Sequence, residues 1–171
     1  MGVLPIRPLL LGMAWPAILS MTISALYNIV DSIFVAKLSE DALTAVSIVS
    51  PIQMLIIALS VGSGVGINSL IARRLGAHRQ EEADQAASTG LRIGVFNYLI
   101  FLLIGVCFTD IFVSGYAEKG GYIYQQAVIY MQIVCIGSFF LNMQVVFEKI
   151  LQSTGNMIAP MICSLTGAVI N

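Results

Sequence analysis

The chain has 171 residues, of which 58% are hydrophobic and only 10% charged, with a formal net charge of −1. Soluble domains carry roughly 25% charged residues, so this balance excludes an ordinary globular core in water and implies a lipid solvent. No basic tract is present to neutralise phosphates, which excludes nucleic acid as a partner.

A helix needs about 17–25 predominantly apolar residues to cross a bilayer. The first such run, from Pro8 to Val30, continues past Asp31 to Ala36. It exceeds the ~7–15 residues of a signal-peptide core and lacks an A-x-A site, so it reads as a membrane span. Further spans are predicted at 42–72, 88–112 and 120–150, after the first at 8–36. The last, 157–171, would give about 22 Å of helix, short of a ~30 Å hydrocarbon core. The prediction is an all-α polytopic membrane protein of about five spans, and the N-terminal piece of a longer chain.

Lys and Arg set the orientation. Arg7 precedes the first span, Arg73, Arg74, Arg79 and Arg92 flank the link between spans 2 and 3, and Lys149 follows span 4. Lys37 and Lys119 are the cations on the opposite side. A multi-pass protein of the cell membrane is expected, with the N-terminus and the 73–92 segment cytoplasmic. Within "RRLGAHRQEEADQAAS", Gln80 to Ser88 can form a short surface helix, and His78 reads as a solvated loop residue.

Several features have a plain reading. Cys107, Cys135 and Cys163 fall in apolar runs without metal or disulfide spacing and read as small buried hydrophobes. "GSGVG", residues 62–66, lacks the strand and the Lys-Ser/Thr ending of a phosphate loop. Gly62 and Gly66, four apart, instead mark a face for close helix packing. Pro16, Pro51 and Pro160 lie inside spans, where each weakens the helical ladder as a static kink or as a bending point. No serine, histidine and acid combine into an enzyme constellation, so no catalytic residue is assigned.

The polar residues inside the spans carry the sharper reading. Tyr27, Asn28 and Asp31 are three and four residues apart and share a helix face. Gln53 in span 2, Tyr130, Gln132, Asn142 and Gln144 in span 4, and Asn171 could converge with them on a wet cavity, or each amide could bridge two helices. An ionised carboxylate at a helix centre costs at least ~2.5–3.5 kcal/mol. With span 1 centred near residue 22, Asp31 lies about 13 Å outward of the midplane. An interfacial position is one reading. Continued apolarity from Ser32 to Ala36 favours burial, which makes Asp31 a candidate carrier of a proton or cation.

At "SALYNIVDSIFVAKL" and "ALTAVSIVSPIQMLIIALSVGSGVGINSLIARRLG" the chain resembles the multidrug and toxic compound extrusion (MATE) transporters. "ILQSTGNMIAPMICSLTGAVIN" is similar to the family's passage from span 4 to span 5. The resemblance implies two six-helix lobes, about twelve helices, with this chain supplying most of the first lobe and a C-terminal lobe of the same polypeptide as its partner. It implies inward movement of H⁺ or Na⁺ in exchange for outward movement of small organic, often cationic, compounds. No other cofactor is implied, and Na⁺ at Asp31 is the only metal. Asp31 matches the first-helix acid proposed to take the coupling ion, with Tyr27 and Asn28 as neighbours. Tyr130 and Asn171 resemble further members of that polar site, and Pro16 the proline at which the helix bends. The family's Asp one turn after the Asn matched by Asn171 falls beyond the chain.

Two other functions are weighed. A lipid-linked oligosaccharide flippase of the same superfamily would line its cavity with several Lys or Arg, and the charge-free runs inside the predicted spans, 8–30, 42–72, 93–109 and 120–147, carry none. A non-transporting membrane subunit or inert fragment is the second, decided by the sequence downstream of Asn171.

Overall fold

The computed structural model describes residues 6–170. They form six helices: α1 (Ile6–Leu38), α2 (Glu40–Gly76), α3 (Gln80–Cys107), α4 (Thr109–Ser114), α5 (Tyr122–Ser153) and α6 (Ile158–Ile170). Among the described residues there is no strand, as the apolar runs predict. Four of the helices, α1, α2, α3 and α5, are long and apolar enough to cross a membrane. α6, with 13 residues, falls short of a full crossing.

The helix boundaries follow local chemistry. Ser39, in extended backbone, accepts the Ala42 amide at 3.0 Å, and Glu40 and Asp41 in the first turn complement the positive end of α2. α2 has 37 residues, about 55 Å of helix, and so outruns a ~30 Å hydrocarbon layer. α5 stops where Gly155 takes φ +87, a conformation that costs glycine nothing.

Two predicted boundaries are corrected. The segment 80–88 is not a separate surface helix but the first turns of α3, because its alanines carry the packing face straight through. Arg92 therefore lies about three turns inside a helix. Span 3, predicted to reach residue 112, ends at Cys107, and the short α4 follows, tied back by a 3.0 Å hydrogen bond from the Tyr124 hydroxyl to Asp110.

α2, α3 and α5 pack together as the core, while α1 packs chiefly on α6 and more lightly on α2. The buried stripe of α2 runs through Ala45, Val49, Ile52, Ile56, Ser60, Gly64, Ile67 and Ile71. That of α3 runs through Ala83, Ala86, Gly90, Gly94, Asn97, Phe101 and Gly105. Steps of three and four residues keep each stripe on one face. Small residues dominate the α3 stripe and punctuate that of α2 because lipid supplies no hydrophobic drive between helices, so backbones must approach closely for dispersion and hydrogen bonds to act.

The close approach corrects the packing assignment of Gly62 and Gly66. Both are exposed, and a methyl group at either would meet nothing within 4 Å. Gly64 is the packing glycine of this stretch: a methyl there would lie 2.9 Å from Lys149 Cγ on α5. At ~100° per residue, positions 62 and 66 both point well away from position 64. Gly94 and Gly105 of α3 likewise face Met143 and Cys135 of α5.

Candidate functional site

The site is built around the clefts that α1 and α6, packed on each other, share with α5. α1 carries Tyr27, Asn28 and Asp31 within about one turn, as their spacing predicts. The Tyr27 side chain hydrogen-bonds with Asp31 and interacts electrostatically with Tyr130 of α5. The Tyr130 hydroxyl accepts the Gln53 side-chain amide of α2 at 3.3 Å. Asp31, Tyr27, Tyr130 and Gln53 thus form a polar seam that crosses from α1 through α5 to α2, at the end of the bundle that carries Lys37. Tyr27 is half-buried, whereas Asn28 and Asp31 are exposed in this chain. The expected burial of Asp31 is not met here, because α1 has helix neighbours only along the face carrying Pro16, Ile23 and Tyr27.

Below the seam lies a cleft of about 370 Å³ between three helices, lined by Ser24 and Tyr27 of α1, Gln144 of α5, and Cys163, Ser164 and Gly167 of α6. Hydroxyl and amide groups face it from all three sides, so it can hold water or a partly hydrated cation. Asn171 lies outside the described residues. A second, smaller cleft of about 150 Å³ sits further along the same three helices, lined by Pro16 and Ser20 of α1, Glu148 and Gln152 of α5, Met157 just before α6, and Pro160 of α6. Pro16 and Pro160 are both buried at this level, and Pro51 is exposed.

Not every polar span residue joins the cavity. Asn142 is 1% exposed and belongs to the core: its Oδ1 accepts the Ser60 hydroxyl of α2 at 2.8 Å, and its Nδ2 donates to the Ser138 carbonyl at 2.8 Å. It brackets two helices, the alternative role for a span amide. Gln132 is exposed. Cys135 is buried as expected, but Cys107 and Cys163 are exposed, and Cys163 lines the larger cleft.

Three polar contacts were not foreseen. Asn97 donates to the Ser63 hydroxyl at 3.1 Å, and Asn68 to the Lys149 carbonyl at 3.2 Å. On α5, Gln152 donates to Glu148 at 2.7 Å and accepts from Lys149 at 3.0 Å, while the Lys149 ammonium lies 3.6 Å from the same carboxylate. The signal for this last group was legible in the four-residue spacing of Gln144, Glu148 and Gln152, masked by reading Lys149 only as a topology anchor. Among the described residues no cluster of three His, Cys, Asp or Glu side chains could hold a metal. Any cation at the seam would rest on Asp31 and neutral oxygens.

A bundle of long apolar helices carrying an acid in a polar seam defines a multi-pass membrane protein. The MatE family model matches residues 16–171, and the chain belongs to that family. Its fold superposes with a TM-score of 0.87 on the outward-facing conformation of a multidrug resistance MATE family transporter of the MOP superfamily, at 30% identity over 94% of this chain and 35% of that one. It is 24% identical over 169 residues to a FAD transporter of Shewanella oneidensis, covering 98% of this chain and 37% of the relative. It is 22% identical over 157 residues to the probable multidrug resistance protein NorM of Thermotoga maritima, covering 92% and 34%. The chain thus spans little more than a third of the curated relatives it matches.

Proposed function

We propose that the chain forms most of the first lobe of a cation-coupled efflux transporter, in which Asp31 takes the coupling ion, H⁺ or Na⁺. The observation that carries this reading is the seam of Asp31, Tyr27, Tyr130 and Gln53 above a polar cleft, in a chain of the MatE family. Lys and Arg bias supports a cytoplasmic N-terminus, which puts Asp31 in the outer half of the membrane. An ion arriving from outside neutralises or restructures the seam. The difference in its affinity between outward- and inward-facing states then couples ion entry to release of an organic compound.

Asn28 and Asn171 complete the proposed ion site, and Pro16 gives α1 its bending point. The remaining lobe closes the central path for substrate. Relatives that include a FAD transporter and a probable multidrug resistance protein support an organic substrate without fixing its charge. Against a pyrophosphate-binding flippase, the two clefts between α1, α5 and α6 present one cation, Lys149, already paired with Glu148. An enzymatic reading has no support from the family.

The test is Asp31→Asn in the full-length parent transporter, reconstituted in liposomes with an imposed pH or Na⁺ gradient. Gradient-driven exchange should fall by at least ~10-fold while substrate binding survives, since the change removes the charge and keeps the shape. Unchanged exchange under both gradients would sink the proposal.

A further inference from the structure

Resting on that reading, we infer that Glu148 is a second proton acceptor, placed to receive the proton from Asp31 and pass it to the cytoplasmic side between α1, α5 and α6. The proton must travel inward from the outer half of the membrane, and the two clefts lie in line along that direction. On α1, Asp31, Tyr27, Ser24 and Ser20 follow one another at steps of four, three and four residues, a continuous polar stripe on one face. On α5, Gln144 and Glu148 repeat at four, about 6 Å apart along the axis. Tyr27, Ser24 and Gln144 line the larger cleft, and Ser20 and Glu148 line the smaller. Asp31 stands about 16 Å above the level of Ser20, a gap that hydroxyl groups and water can bridge. Clefts of about 370 and 150 Å³ with polar walls have room for such water.

Glu148 is suited to the task by its surroundings. Its side chain is 29% exposed and that of Lys149 18% exposed, so neither charge is fully hydrated. Lys149, at 3.6 Å, is the ionisable group that faces it; α1, α6 and the residue preceding α6 bring Pro16, Ser20, Pro160 and Met157 to the cleft, none of which titrates. The Lys149 stem rests over Gly64 of α2, and its carbonyl accepts Asn68, so the acceptor is fixed to the rigid core while the opposite wall belongs to α1 and α6. A proton suits this site better than Na⁺. Hard cations require several oxygen ligands, and here an ammonium and an amide nitrogen already occupy the carboxylate.

The step balances without a further reactant. The O–H bond at Asp31 breaks, a proton passes along Tyr27, Ser24 and water, and an O–H bond forms at Glu148. Loss of that proton to the cytoplasm restores the Glu148–Lys149 ion pair.

The experiment compares Glu148→Gln, Glu148→Asp and Asp31→Asn in the full-length transporter in proteoliposomes, reading substrate exchange, proton flux with a pH-sensitive dye, and substrate binding. Glu148→Gln should lower proton-coupled exchange by at least ~10-fold and leave substrate binding unchanged. Acid on the cytoplasmic face should slow exchange by the wild type and leave Glu148→Gln unaffected. Glu148→Asp should retain most of the rate. The inference is overturned if Glu148→Gln exchanges at the wild-type rate, if both Glu148 variants lose rate and melting temperature together, or if a Na⁺ gradient alone drives exchange. Loss in Asp31→Asn beside normal exchange in Glu148→Gln removes only the inner acceptor. Normal exchange in Asp31→Asn removes the reading beneath it.

Discussion

In α2, α3 and α5 the buried stripes set glycine, alanine and serine against larger apolar side chains and are closed by satisfied hydrogen bonds, whereas α1 and α6 face α5 across two prolines and a pair of polar clefts. The two regions differ in what their contacts permit. Glycine against side chain, as at Gly105 and Cys135, leaves no alternative arrangement without separating the helices. A cleft lined by hydroxyls, with a ladder weakened at Pro16 and Pro160, allows the helices beside it to shift without stranding a polar group. The core fixes positions, and the α1–α6 side is where a conformational change costs least.

The contrast breaks most visibly at Gly105. A methyl group there already overlaps Cys135, whose side chain is fully buried. Gly105→Leu should cost about 3 kcal/mol or more, because overpacking must push α3 off α5. Thermal unfolding in detergent reads this directly, and a melting temperature equal to wild type would show that the core is not close-packed there.

Asn142→Ala comes next. It removes the hydrogen bonds to Ser60 and the Ser138 carbonyl and leaves a small void. Ser60 keeps an alternative acceptor, the Ile56 carbonyl at 2.7 Å, so the loss should be limited to about 1–2 kcal/mol. Because Asn142 is in the core, ion-driven transport per folded molecule should stay near wild type. Transport lost at unchanged stability would move Asn142 into the functional site.

Tyr130→Phe probes the other region. It deletes one 3.3 Å hydrogen bond to Gln53, worth about 0.6 kcal/mol by comparison with similar membrane contacts. Its effect on exchange should exceed its effect on stability, since the hydroxyl also faces Tyr27 and, through it, Asp31. Equal proportional losses would make Tyr130 another core residue.

The sequence exposed some of this division and hid the rest for physical reasons. Apolar length sufficed to find α1, α2 and α5, and four-residue spacing sufficed to bring Tyr27 to Asp31. Spacing states that residues share a face, but not which face meets a neighbour; hence Gly62 and Gly66 were assigned the packing that Gly64 performs. An amide looks the same in sequence whether it lines a cavity or brackets two helices, so Asn142 was grouped with Gln144 although only Gln144 reaches the cleft. Charge misled at 80–92, where acids and an arginine occupy the exposed side of a helix whose packed side is Ala83, Ala86 and Gly90.

The smallest expected loss sharpens the same point. Gly62→Ala with Gly66→Ala adds two methyl groups that meet nothing within 4 Å in this chain. Alanine loses less backbone entropy than glycine in a helix, so the pair should lose no stability and gain up to about 1–2 kcal/mol. The same unfolding measurement that finds Gly105→Leu crippled should find this double variant unharmed. If the pair destabilises the full-length protein but not this chain by itself, the face of α2 that carries them is packed by the remaining lobe. The glycine spacing would then have reported a contact made outside the region described here.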